Sequence, residues 1–126
     1  MKTILAIAIG GAMGSVARYI VTLAVSIWMK APFPWGTLGV NLTGCFIIGM
    51  LTAAFASAQG VSPELRAFLI TGFLGGFTTF SAFSMDAVGL WTIGDMRGMF
   101  VYVFASVVLS IAAAIAGSFV AWKFLV

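Results

Sequence analysis

Between Thr3 and Met29 this chain carries a single charged residue, Arg18, and between Gly36 and Ser57 it carries none. Two further apolar stretches follow, at about 65–91 and 98–125. An α-helix needs about 20 apolar residues to cross the hydrocarbon core of a bilayer, so each of the four runs is long enough to span. The chain as a whole is 63% hydrophobic and only 7% charged. A soluble domain carries about 25% charged residues and covers itself with them. The sequence therefore predicts an all-α membrane protein, one domain over residues 1–126, with four transmembrane helices at about 3–29, 36–57, 65–91 and 98–125.

The opening "MKTILAIAIGGAMGSVA" has the lysine, apolar centre and small residues of a secretory signal. Its apolar character continues through "RYIVTLAVSIWM", which a cleaved signal does not require, so a retained first helix is expected. "KAPFPWG" ends that helix, because Pro32 and Pro34 stop it and Trp28 and Trp35 suit the membrane interface. Ser62, Pro63 and Glu64 make a helix start: a cap, a first-turn proline and an acid. The pairs Gly10/Gly14 and Gly72/Gly76 have the spacing that lets membrane helices approach closely. With the amino terminus inside, Lys2, Arg66 and Lys123 lie on one side and Lys30 and Arg97 on the other. Orientation follows a lysine and arginine excess, and three against two is hardly one. Insertion in both directions, with antiparallel pairing, is the expectation.

Several chemistries are excluded. Without histidine there is neither a histidine metal site nor a histidine general base. The lone Cys45 lies in an apolar run and reads as a small hydrophobe, so no cysteine–histidine or serine–histidine pair can be assembled. The net charge of +3 suits lipid head groups or anions drawn to aqueous mouths. No nucleic-acid partner is expected.

Ionisable and polar groups at membrane depth each need a reason. Arg18 requires partners or a water-filled mouth, and Asp86 lies near an end of its helix. Asn41 offers two donors and an acceptor, as helix-packing glue or as a ligand for an anion. The stretch "GGFTTFSAFS" is the densest concentration of hydroxyls. On a helix of about 100° per residue, with Phe80 at zero, Phe83 falls roughly at −60°, Ser84 at +40° and Ser81 at +100°. One arc thus carries two phenyls and two hydroxyls, the lining of a pathway rather than a plain core stripe. Phenyl edges are positive, and hydroxyl and amide donors beside them suit a small, partly dehydrated anion. Cations favour carbonyl or carboxylate linings, and no ring of acids is present. Gly72, Gly75 and Gly76 beside threonines predict a break near the middle of the third helix, freeing carbonyls that need protein, ions or water.

Three ordered signatures, "GGAMGSVARY", "GTLGVNLTGCFIIG" and "GFLGGFTTFSAFS", together resemble the Fluc (CrcB) family of fluoride channels over nearly the whole chain. The resemblance implies an antiparallel, dual-topology homodimer in the inner (plasma) membrane, surrounded by lipid. It would hold two pores that passively export fluoride. By motif position, Phe80 and Phe83 are the pore phenylalanines, Asn41 the pore amide, and Ser81 and Ser84 polar-track hydroxyls. Tyr102 and Ser106 match the pore-lining pair of the fourth helix, and Arg18 the first-helix arginine near a vestibule. Gly75 and Thr78 fall where backbone carbonyls of both subunits hold a structural sodium ion. The family usually has threonine where this chain has Ala82, which removes one hydroxyl from the track. A small multidrug antiporter is the alternative dual-topology exporter. It needs a carboxylate in the first helix, where this chain has only Arg18.

Overall fold

The computed structural model describes residues 1–58 and 60–124. Helix α1, Lys2–Met29, stops where Lys30 turns left-handed (φ 45°) and returns its amide to the Ser26 carbonyl. The two prolines of the following turn forbid its continuation. Helix α2 is Trp35–Ser57. The third span opens as the sequence dictates: Ser62 Oγ accepts the Leu65 amide at 3.2 Å, with Pro63 in the first turn. It runs on through Pro63–Arg66, wide π-helical turns over Ala67–Leu74, and Gly75–Phe77, together α3 (63–77).

The helix then breaks. Thr78 (φ −78°, ψ 157°) and Thr79 (φ −154°, ψ 124°) are extended, and helix α4 resumes as Phe80–Thr92. The break begins two residues beyond Gly76, because Gly72 and Gly76 are used for packing on α1 and the threonines for the turn itself. After a tight turn at Gly94 (φ 82°), helix α5 is Met96–Phe124. Asp95 Oδ1 accepts the Gly98 amide at 2.8 Å and caps α5, so the helix begins two residues earlier than 98. The expected end at Leu125 lies outside the described residues.

Four spans long and apolar enough to cross a membrane result: α1, α2, the broken α3–α4 and α5. Backbone contact at glycine joins them in two pairs. A Cβ on Gly72 would stand 2.9 Å from the Ile7 carbonyl oxygen, and one on Gly14 2.9 Å from the Phe77 amide, so α1 and α3 meet with no side chain between them. Gly49 and Gly117 do the same for α2 and α5, at 3.0 Å from Ala114 Cα and the Met50 amide. Only 11% of the most apolar window of α1, and of α5, is buried. Close backbone packing, rather than a wide apolar core, therefore organises the bundle, as membrane helices require. The small core of Leu38, Phe83, Leu90 and Tyr102 sits where α4 crosses α2 and α5, immediately beside the break.

Candidate functional site

The break, α2 and α5 line an open cavity of about 280 Å³. Asn41 and Cys45 contribute from α2, Thr78 and Thr79 from the break, Phe80 and Phe83 from α4, and Ser106 and Ser110 from α5. Four of the residues expected from sequence, Asn41, Phe80, Phe83 and Ser106, thus converge on one space.

Asn41 is held by both ends of its amide. Its Nδ2 donates to the Thr79 carbonyl at 3.0 Å, and its Oδ1 accepts the Thr79 amide at 2.8 Å. An amide side chain can do both because it repeats the donor and acceptor of a peptide. Thr79 is buried, and its Oγ1 accepts the Ala82 amide at 3.1 Å, capping α4. The same oxygen pairs with Ser81 Oγ at 3.2 Å.

These bonds have a further effect on the backbone. In an unbroken helix the Thr79 amide returns to the Gly75 carbonyl and the Ala82 amide to the Thr78 carbonyl. Here the first goes to Asn41 and the second to Thr79 Oγ1. The Gly75 and Thr78 carbonyls are thereby released from the helical ladder. Gly75 lies on a face that its own chain leaves exposed. Carbonyl oxygens freed in this way are hard ligands of the kind an alkali cation takes, so the residues at the break fit such an ion.

The two phenyl rings differ sharply in environment. Phe83 is buried at 8% exposure while Phe80 stands 77% exposed, with centroids 5.2 Å apart and planes tilted by 47°. Phe83 also meets the Tyr102 ring at 5.4 Å. The fully buried Tyr102 donates its hydroxyl to Asp86 Oδ2 at 3.2 Å. Ser106, one turn on and 5% exposed, has a buried Oγ with no hydrogen-bond partner among the described residues.

Three expected residues are placed differently from the simple arc. Ser84 donates to the Phe80 carbonyl of its own helix at 2.9 Å, and Ser81 is tied to Thr79. Neither lines the cavity that contains Asn41, nor does Tyr102. Ideal helical angles cannot foresee this, since the adjoining break decides which side of α4 is walled in. Arg18 is half-buried on α1, and among the described residues its guanidinium makes no ion pair or hydrogen bond. A second cavity of about 360 Å³, lined by Tyr19, Thr22, Ser26, Thr37 and Asp86 among others, opens towards the end of the same helix without Arg18 in its wall.

Sequence reasoning missed Cys45, Ser110, Thr37 and the central part of Thr79. Cys45 and Ser110 were within reach, each four residues beyond an expected site residue on the same helical face. Thr79 carried a helix-cap signal that the hydrophobic pattern obscured.

A four-span membrane protein with a broken third helix beside a partly polar cavity is the class these features define. The family description "CrcB-like protein, Camphor Resistance (CrcB)" matches residues 5–118. The chain belongs to this family. It is 54% identical over 111 residues to the "Fluoride-specific ion channel FluC" of Rhizobium johnstonii, covering 88% of this chain and 89% of that one. The protein of the same name from Rhizobium meliloti is 51% identical over 117 residues, 93% of this chain and 94% of its own. That from Nitrobacter winogradskyi is 47% identical over 114 residues, 90% of each.

Proposed function

We propose that this protein is a fluoride-selective channel, not an enzyme, that passively exports the ion across the inner (plasma) membrane as an antiparallel homodimer with two pores. The observation that carries the reading is the convergence of Asn41, Phe80, Phe83 and Ser106 on one cavity, Ser106 with an uncommitted hydroxyl. The names of the relatives support fluoride as the ion.

Fluoride is small and strongly hydrated, so a pathway must offer donors in place of its water. Asn41 spends one N–H on Thr79 and keeps the second, and Ser106 has an O–H to give. Phe80 and Phe83 supply positive ring edges between them. The Ser81 and Ser84 hydroxyls lie along α4 beyond the cavity and extend the polar track towards its end. Tyr102 closes the wall behind Phe83 and keeps the Asp86 carboxylate engaged. Arg18 adds positive charge that draws anions towards the mouth.

The exposed break face of Gly75 suits a second copy of the chain. With two copies facing each other, the Gly75 and Thr78 carbonyls of both would hold a sodium ion, which supplies a fixed positive charge at the dimer centre. The nearly balanced loop charges suit insertion in both orientations. The antiporter alternative gains no support, since α1 holds no carboxylate to exchange protons.

Ion efflux from liposomes holding the pure protein tests the reading. Rapid fluoride release with no chloride release is the expected result. Proton-coupled exchange of a cationic drug, or no fluoride release, would overturn it.

A further inference from the structure

We infer that Asn41 is a positioning residue that holds the third helix broken. In this role its amide takes the place of a peptide group at Thr79, and its free N–H is aimed by that attachment. The inference deepens the channel reading and rests on it only for the flux measurement below.

The case begins with the Thr79 amide. It belongs to a residue that is 8% exposed, so the amide must find an acceptor inside the protein. An orphaned donor at such a site is costly, and water is scarce at membrane depth. Two acceptors compete for it. One is the Gly75 carbonyl, which would continue the helix, and the other is Asn41 Oδ1, which the structure selects at 2.8 Å. Asn41 returns a donor to the Thr79 carbonyl at 3.0 Å, so neither half of that peptide pair is lost by leaving the ladder. Thr79 Oγ1 meanwhile starts α4 by taking the Ala82 amide.

Two sets of groups depend on this one attachment. The first is the pair of released carbonyls at Gly75 and Thr78. The second is the position of α4, whose first residue, Phe80, follows Thr79 directly and whose first turn carries Phe83. The attachment also fixes Asn41 itself. A planar amide bound at both Oδ1 and Nδ2 has little freedom to rotate, so the remaining N–H of this cavity-lining residue is held in one direction. A donor held this way needs no reorganisation when an anion arrives.

The acceptor and donor roles separate in two variants. Asn41→Asp keeps an oxygen for the Thr79 amide in either protonation state, while losing the amide N–H that remains for an anion. Asn41→Ala loses both. Amide hydrogen exchange at Thr79, read by nuclear magnetic resonance on each protein in detergent, reports the attachment independently of any ion flux. Exchange in Asn41→Ala should be at least tenfold faster than in the unaltered protein, and in Asn41→Asp within about twofold of it. Fluoride efflux should fall at least tenfold in both. Equal exchange at Thr79 in all three proteins would overturn the inference, because Asn41 would then be only a pore donor. Where Asn41→Ala folds poorly, Asn41→Ser, whose hydroxyl is too short to span to both Thr79 groups, takes its place and should exchange at least tenfold faster at Thr79 than the unaltered protein. Slow exchange in Asn41→Ser would count against the inference equally. If the unaltered protein released no fluoride, the channel reading would fall while the exchange comparison still decided the attachment.

Discussion

The Tyr102 hydroxyl donates to Asp86 across the α5–α4 contact at 3.2 Å, from a ring that is fully buried between Phe33 and Phe83. This ties the Asp86 carboxylate to the core that stands behind Phe83. Tyr102→Phe keeps the ring packing and removes only that donor. A hydrogen bond to a charged group is worth about 1.5–3 kcal/mol, so unfolding in detergent should show a loss of that order. Asp86→Asn, which retains an acceptor, should lose less. A Tyr102→Phe protein as stable as the parent would show that the bond contributes nothing.

The glycine contacts predict an effect of similar size. A Cβ on Gly117 would stand 3.0 Å from the Met50 amide and press on the Phe46 carbonyl, both of them backbone atoms that cannot turn aside. Gly117→Ala should therefore separate α2 from α5 and cost about 1–3 kcal/mol, the usual range for overpacking. Gly39, which has open space around its Cβ position, is the control. Gly39→Ala should leave the yield of folded protein unchanged and its thermal midpoint unchanged or slightly raised, since alanine favours a helix over glycine.

Phe80 offers the opposite combination, large functional weight with little structural weight. It stands 77% exposed within its own chain and touches Phe83 at a 5.2 Å centroid separation. Phe80→Ile keeps an apolar side chain but removes the positive ring edge. Fluoride efflux should drop at least tenfold while the protein elutes and melts as before. Unchanged efflux would take Phe80 out of the pathway.

Residues differ in how openly the sequence displayed these features. The four spans were legible because long apolar runs admit few other folds, and Ser62–Pro63–Glu64 announced its helix start through local chemistry alone. The end of α1 was equally plain from Pro32 and Pro34. The early start of α5 was not, since Asp95 looked like loop until its carboxylate was seen on the Gly98 amide. At the site, helical angles placed Phe80, Phe83, Ser81 and Ser84 on one arc, yet the cavity takes only the two phenylalanines. The break reorients α4 against α2, and an angle counted along one helix contains nothing about its neighbour. Asn41 was legible as a polar group in need of a partner. That its partner is the backbone of Thr79, 38 residues away, is a tertiary fact.

Ser106 separates a hydroxyl retained for structure from one retained for a ligand. Its Oγ is buried without a hydrogen-bond partner, in a wall that also holds Asn41 and Phe83. A buried hydroxyl without a close partner contributes little to the stability of the folded protein. Ser106→Ala should therefore leave stability unchanged or raise it by about 1 kcal/mol, in contrast to the usual penalty for deleting a bonded serine. Fluoride efflux should nevertheless fall, since the donor that the ion would meet is gone. Thermal melts and liposome efflux on the same preparation decide the matter. A destabilised Ser106→Ala protein would mean that the hydroxyl is satisfied within the fold and is not held in reserve for an anion.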